Sequence, residues 1–141
     1  MWNMFWPILI VVCANTFYNI CAKATPEKIN SFAALAVTYV VAALISVVLF
    51  FFTSGQKDLF QELTKINWAP FVLGVSIVFL EFGYICVYRA GWKISVASLV
   101  ANIALACILI VVGVLVYKEV LTVSQVLGVG FCAVGLLLLN R

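Results

Sequence analysis

The chain is 141 residues long, 67% hydrophobic and 9% charged, with a net charge of +3. A soluble domain carries about 25% charged residues, so this composition excludes a water-clothed globule, and so small and scattered a charge excludes a nucleic-acid surface. Charge is absent from residues 1–22, 29–56, 66–80, 94–117 and 120–140. A membrane span needs roughly 20 apolar residues; the third run reaches that length when Glu81 is taken inside it and the run continues to Tyr88.

The expected fold class is therefore all-α, a polytopic membrane protein of five transmembrane helices forming a single domain over residues 1–141. Barrel strands alternate apolar and polar residues, whereas these runs are apolar on every side, and in lipid a helix satisfies its own backbone.

The first span is read at about 4–22, as a span rather than a cleaved signal peptide, because no Lys or Arg precedes it and Asn15 and Asn19 lie within it. Thr25-Pro26 has the form of a helix start, so the second helix is expected from near Pro26, with its membrane part at 31–52. Residues 53–67 form the one substantial loop. There Leu59, Leu63 and Ile66 recur at helical spacing among Lys57, Asp58, Glu62 and Lys65. A short helix on the interface and a solvated linker both fit that pattern. The third span is expected at 68–88, then a basic turn from Arg89 to Lys93, a fourth span at 94–117 and a fifth at 122–140. Thr122 and Gln125 have the spacing of a capping box. Trp2, Trp6, Trp68 and Trp92 fall near span ends, where interfacial aromatics belong.

Polar groups inside a bilayer are costly and mark candidate sites. Asn15, Tyr18 and Asn19 share one face of the first span; Glu81, Tyr84 and Tyr88, with Gly74, share one face of the third; Ser95, Ser98 and Asn102 share one face of the fourth. Glu81 is the sharpest of these. A charged carboxylate near mid-span costs about 2.5–3.5 kcal/mol, so Glu81 is expected to bind a proton or a cation, or to be hydrogen-bonded by an Asn or Tyr of a neighbouring helix. The Asn and Ser stripes fit substrate contacts or interhelical hydrogen bonds of about 0.6 kcal/mol each. Gly128 and Gly135 fit close helix packing.

The sequence has no His, and its five cysteines, Cys13, Cys21, Cys86, Cys107 and Cys132, all lie in apolar runs. They read as small packing residues, without metal spacing or a disulfide framework. No cofactor, metal or enzyme activity is expected, since no nucleophile–base pair or carboxylate pair is visible.

The stretch YKEVLTVSQVLGVGFCAVGLLLLN, Tyr117–Asn140, resembles the end of an EamA-type repeat of the drug/metabolite transporter superfamily, with Glu119, Leu121-Thr122, Gln125, Gly128 and Gly135 at the matching places. VYRAGWKISVASLVANIAL resembles the turn between the third and fourth spans of the same repeat. The first span is also similar to that of small multidrug resistance transporters, whose turn is matched by Cys21-Ala22-Lys23. Asn15 stands at about the position where those transporters have a carboxylate, so the acid of their proton/drug exchange is missing from this helix.

The resemblance implies a secondary transporter working by alternating access. One repeat where most members have two oppositely oriented ones implies a half-size member acting as a homodimer in a cell membrane, with the bacterial inner membrane as the expected setting. Its partners would be membrane lipids and a small-molecule, cationic or lipid-linked substrate. A flippase for a lipid-linked sugar and a non-transporting accessory subunit are the alternatives. Five spans would place Lys57, Lys65 and Lys118 on one side and Lys23, Lys28, Arg89, Lys93 and Arg141 on the other. That weak bias leaves both a parallel dimer and an antiparallel dimer of dual topology open.

Overall fold

The structure is a computed structural model that describes residues 2–53, 55, 58–120 and 122–139. Lys57, Leu121, Asn140 and Arg141, which enter the readings of the loop, the repeat motif, the last span and the charge balance, lie outside the described residues, as does the side chain of Trp2.

The described residues form helices α1 (Trp2–Ala24), α2 (Ser31–Thr53), α3 (Leu59–Leu63), α4 (Ala69–Arg89), α5 (Ile94–Leu115) and α6 (Val123–Leu139), with no strand among them. Among the described residues, four segments are long and apolar enough to cross a membrane: Phe5–Ala24, Ser31–Thr53, Ala69–Arg89 and Ile94–Leu115. The sixth helix has 17 residues, the lower edge of the length a span requires.

Several Ser and Thr hydroxyls on these helices are satisfied locally. Thr16 donates to the Val12 carbonyl at 2.8 Å, Ser46 to Ala42 at 2.8 Å and Ser76 to Val72 at 2.9 Å. Such back-bonding lets a hydroxyl face an apolar solvent without an orphaned donor.

The chain divides into two compact units, Met1–Ala90 and Gly91–Arg141. In the first unit α4 packs against both α1 and α2. Its buried residues, Asn19, Ser31, Leu35, Ile85 and Tyr88, come from the C-terminal halves of α1 and α4 and the N-terminal half of α2. The opposite halves present large apolar side chains outward, including Phe5, Leu9, Leu44, Phe52, Phe71 and Phe79. Those faces suit lipid or a protein partner.

The connection between α1 and α2 differs from its expected form. Thr25 closes α1 by donating to the Cys21 carbonyl at 3.1 Å. Pro26 opens a turn in which the Ile29 N–H reaches the Pro26 carbonyl at 3.4 Å, and α2 begins only at Ser31. Asn30 caps it, its Oδ1 accepting from the Phe32 N–H at 2.9 Å. The Thr25 hydroxyl serves the end of the preceding helix, so the start signal read there passes to Asn30.

The 53–67 loop contains the five-residue helix α3, capped by Asp58, whose side chain accepts from the Gln61 N–H. Leu59 is half-buried, while Phe60, Leu63 and Ile66 are exposed. Asn67 Oδ1 accepts from the Ala69 N–H at 3.0 Å at the head of α4.

In the second unit α5 packs with α6. After α5 the chain turns through Lys118, whose φ of 54° is left-handed. Without a glycine there, the turn is held by the Glu119 N–H, which reaches the Gly113 carbonyl at 3.0 Å. A Cβ on Gly113 would lie 2.8 Å from Glu119 Oε2, so this glycine makes room for the carboxylate. The capping box at α6 is formed: Gln125 Oε1 accepts from the Thr122 N–H at 2.8 Å, and Thr122 Oγ1 from the Gln125 N–H at 3.4 Å.

Candidate functional site

The polar stripe of α1 meets the polar stripe of α4. Asn19 is buried and donates through Nδ2 to the Asn15 carbonyl at 2.7 Å and to Asn15 Oδ1 at 2.9 Å. That fixes its amide so that Oδ1 accepts from the Tyr88 hydroxyl of α4 at 2.5 Å. A buried amide in an apolar unit needs such partners. Beside this bond Tyr18 meets Tyr84 edge-on, ring centroids 5.6 Å apart, and Tyr84 stacks with Tyr88 at 6.0 Å. These aromatic contacts continue the α1–α4 seam.

One turn further along, the same seam opens into a cavity of about 100 Å³ between α1, α2 and α4. Its walls are Tyr18, Cys21, Ala22 and Thr25 from α1 and the residue that closes it, Ala34, Leu35 and Thr38 from α2, and Glu81 and Ile85 from α4. The volume would hold about three waters. The wall between α2 and α4 is closed beside it by Phe32 stacked on Phe82, centroids 4.8 Å apart.

Glu81 is half-buried in this wall. The Tyr39 hydroxyl of α2 interacts with its carboxyl group, yet neither Tyr39 Oη nor Tyr18 Oη has a partner with full hydrogen-bond geometry. A carboxyl group flanked by two phenols with unused hydrogen-bonding capacity can hold a proton or a small cation and hydrogen-bond its hydration or ammonium protons. No group of three metal-ligating side chains occurs among the described residues, so the site offers one carboxyl group and neutral oxygens.

The structure thus brings together Asn15, Tyr18, Asn19, Glu81, Tyr84 and Tyr88 within the first unit. Asn15, Asn19, Tyr84 and Tyr88 form the seam, and Tyr18 and Glu81 line the cavity. Ser98 and Asn102 lie on α5, in the second unit, where Asn102 Nδ2 donates to the Ser98 carbonyl at 2.8 Å and to its Oγ at 3.2 Å. A Cβ added at Gly128 or Gly135 of α6 would meet no atom within 4 Å, so the close approach expected there is not made among the described residues.

Three participants escaped the sequence reading. Tyr39 lies in an apolar stretch of α2 and gave no stripe to read. Gly113 is buried against Glu119, a contact made by a turn rather than by helical spacing. Arg89 read as a loop charge. Its guanidinium instead reaches back to the α1–α2 turn, Nη1 donating to Ser31 Oγ at 2.8 Å and Nη2 to the carbonyls of Pro26 at 3.0 Å and Ile29 at 2.8 Å.

No curated protein and no solved structure matches the chain. The model of the EamA-like transporter family matches it over residues 1–141, in agreement with the resemblance carried by Glu119, Gln125, Gly128 and Gly135. These are membrane transporters of the drug/metabolite transporter superfamily, not enzymes. A chain of several apolar helices around a half-buried carboxyl group, matched by this model from end to end, belongs to the EamA-like transporter family.

Proposed function

We propose that the protein is a half-size secondary transporter that carries a small cationic metabolite or other cationic compound across the membrane by alternating access, with Glu81 as the residue that binds the cation or the coupling proton. The supporting observation is the cavity between α1, α2 and α4, lined by Glu81 and by Tyr18, whose hydroxyl lacks a hydrogen-bond partner, with the Tyr39 hydroxyl of α2 interacting with the same carboxyl group. In this reading α6 completes five spans and two copies form the working unit in a plasma membrane, the bacterial inner membrane by preference. Ser98 and Asn102 give the second unit a polar face of its own for substrate, and the open flanks of Gly128 and Gly135 receive a helix of the second copy.

A flippase for a lipid-linked sugar is the second reading. It is favoured by the uncharged Asn15, Asn19 and Tyr88 seam, whose amide and phenol groups suit sugar hydroxyls once the Asn19–Tyr88 bond opens. A non-transporting accessory subunit is the third.

Uptake into proteoliposomes, with and without a pH gradient, tests the first reading against both others. Glu81→Gln should abolish cation flux while the protein still inserts and elutes as the wild type does. Undiminished flux through the Gln variant removes Glu81 from the transport cycle, and flux of sugar lipids alone selects the flippase.

A further inference from the structure

We infer that Arg89 is the gate residue at one end of the Glu81 cavity, closing it by fastening α4 to the α1–α2 turn and to the first turn of α2. The cavity lining comes to within a few residues of these elements. Thr25, which lines it, precedes the Pro26 turn directly, and Ala34 and Leu35, which also line it, lie three and four residues beyond Ser31. On α4, Ile85 is one helical turn from Arg89 and Glu81 is two turns away, roughly 12 Å at 1.5 Å per residue. The guanidinium lies at this end with three donated bonds, to Ser31 Oγ at 2.8 Å, to the Pro26 carbonyl at 3.0 Å and to the Ile29 carbonyl at 2.8 Å. Ser31 is buried beneath it.

The chemistry suits a latch. A planar guanidinium presents several donors in a fixed fork and joins three acceptors on two elements at once, which a lysine ammonium on its flexible stem does less well. The bonds are charge-assisted, yet all three acceptors are neutral. Nε is buried without a partner, so the closed arrangement leaves one donor unsatisfied and withdrawal of the side chain to water would satisfy it. Closed, the latch also sets a positive charge between Glu81 and the membrane surface at that end, which opposes passage of a cation. Alternating access requires such an end to open in part of the cycle, and release of these three bonds opens it.

The inference rests on the proposed transport role only for its effect on flux; the closure itself is tested separately. In a chain with all five cysteines replaced, Thr38→Cys places a thiol in the cavity wall, Lys28→Cys counts the molecules that present the α1–α2 turn to the reagent, and Ser76→Cys reports an outer face of α4. A membrane-impermeant thiol reagent is applied to proteoliposomes. Arg89→Ala should raise the labelling rate at Thr38→Cys by about tenfold or more, since hydrogen bonds to a charged group are lost. Arg89→Lys and Ser31→Ala should give smaller increases, with Ser76→Cys unchanged. An unchanged rate at Thr38→Cys overturns the gate, and so does an equal rise at Ser76→Cys, which would mean that Arg89 holds the bundle together. A gate that opens in Arg89→Ala while Glu81→Gln transports normally would leave the latch standing and remove only Glu81 from the transport cycle.

Discussion

Asn19 and Tyr88 are the most constrained polar pair in the first unit. Both side chains are buried; the Tyr88 hydroxyl depends on Asn19 Oδ1 for its hydrogen bond, while Asn19 Nδ2 is also held by Asn15. Interhelical hydrogen bonds in membrane proteins contribute about 0.6 kcal/mol on average and at most about 1.7 kcal/mol. Burial places this pair toward the upper end, because the partner left behind cannot reach water. Tyr88→Phe should therefore destabilise the protein by about 1 kcal/mol, and Asn19→Ala by a similar amount or more. Denaturation in mixed micelles, run as a double-mutant cycle, should return a coupling energy of the same size; additive effects would mean that the two residues act independently. The spacing of Asn15, Tyr18 and Asn19 was legible because a helix places positions three and four apart on one face. The identity of the partner was not, since Tyr88 lies 69 residues from Asn19.

At the scale of elements, the helix ends carry the specific chemistry while the helix bodies are largely uniform apolar rods. Asn30 sets the start of α2, and its loss should cost about 1 kcal/mol. Asn30→Ala should lower the unfolding midpoint in detergent, whereas Asn30→Asp, which keeps the accepting oxygen, should restore it. Failure of the Asp variant to restore the midpoint would remove the cap from the account. The turn after α5 answers differently to substitution. Gly113 faces only the mobile end of the Glu119 side chain, so an added methyl group displaces a carboxylate rather than backbone. Alanine is also a better helix former than glycine by about 1 kcal/mol. Gly113→Ala should consequently fold at least as well as the wild type, by the same detergent assay, and a clear loss of stability would show that the Glu119 contact fixes the turn. The capping box at Thr122 and Gln125 could be read from four consecutive residues. The true start of α2 could not, because Thr25 was equally able to end one helix or begin the next, and the outcome depended on where α1 stopped.

For the whole molecule, the exposed apolar faces of the first unit and the open flanks of Gly128 and Gly135 bear on assembly. An inverted pair of repeats around a midplane site is a common transporter plan, and a lone repeat can reproduce it by pairing with an oppositely inserted copy. The charge bias between the two sides is three cations against five in the five-span reading, too small to impose one orientation firmly. An antiparallel homodimer of dual topology is therefore the expected assembly. A cysteine placed at the C-terminus should be labelled by an impermeant reagent from both sides of the membrane; labelling from one side only would rule out dual topology and leave the parallel dimer.

The sequence by itself determined the solvent of this protein and, with it, the secondary structure. Long runs without charge can lie only in lipid, and lipid forces backbone hydrogen bonding into helices. It also carried the family, because Glu119, Gln125 and the α6 glycines are set by local spacing along one chain end. Only the tertiary structure decided which polar residues meet. Apolar runs have no preferred face to betray their neighbours, so the pairing of Asn19 with Tyr88, the approach of Tyr39 to Glu81 and the reach of Arg89 to Pro26, Ile29 and Ser31 follow from how α4 packs between α1 and α2. Those contacts join residues far apart in sequence through single long side chains, and no periodicity along the chain encodes them.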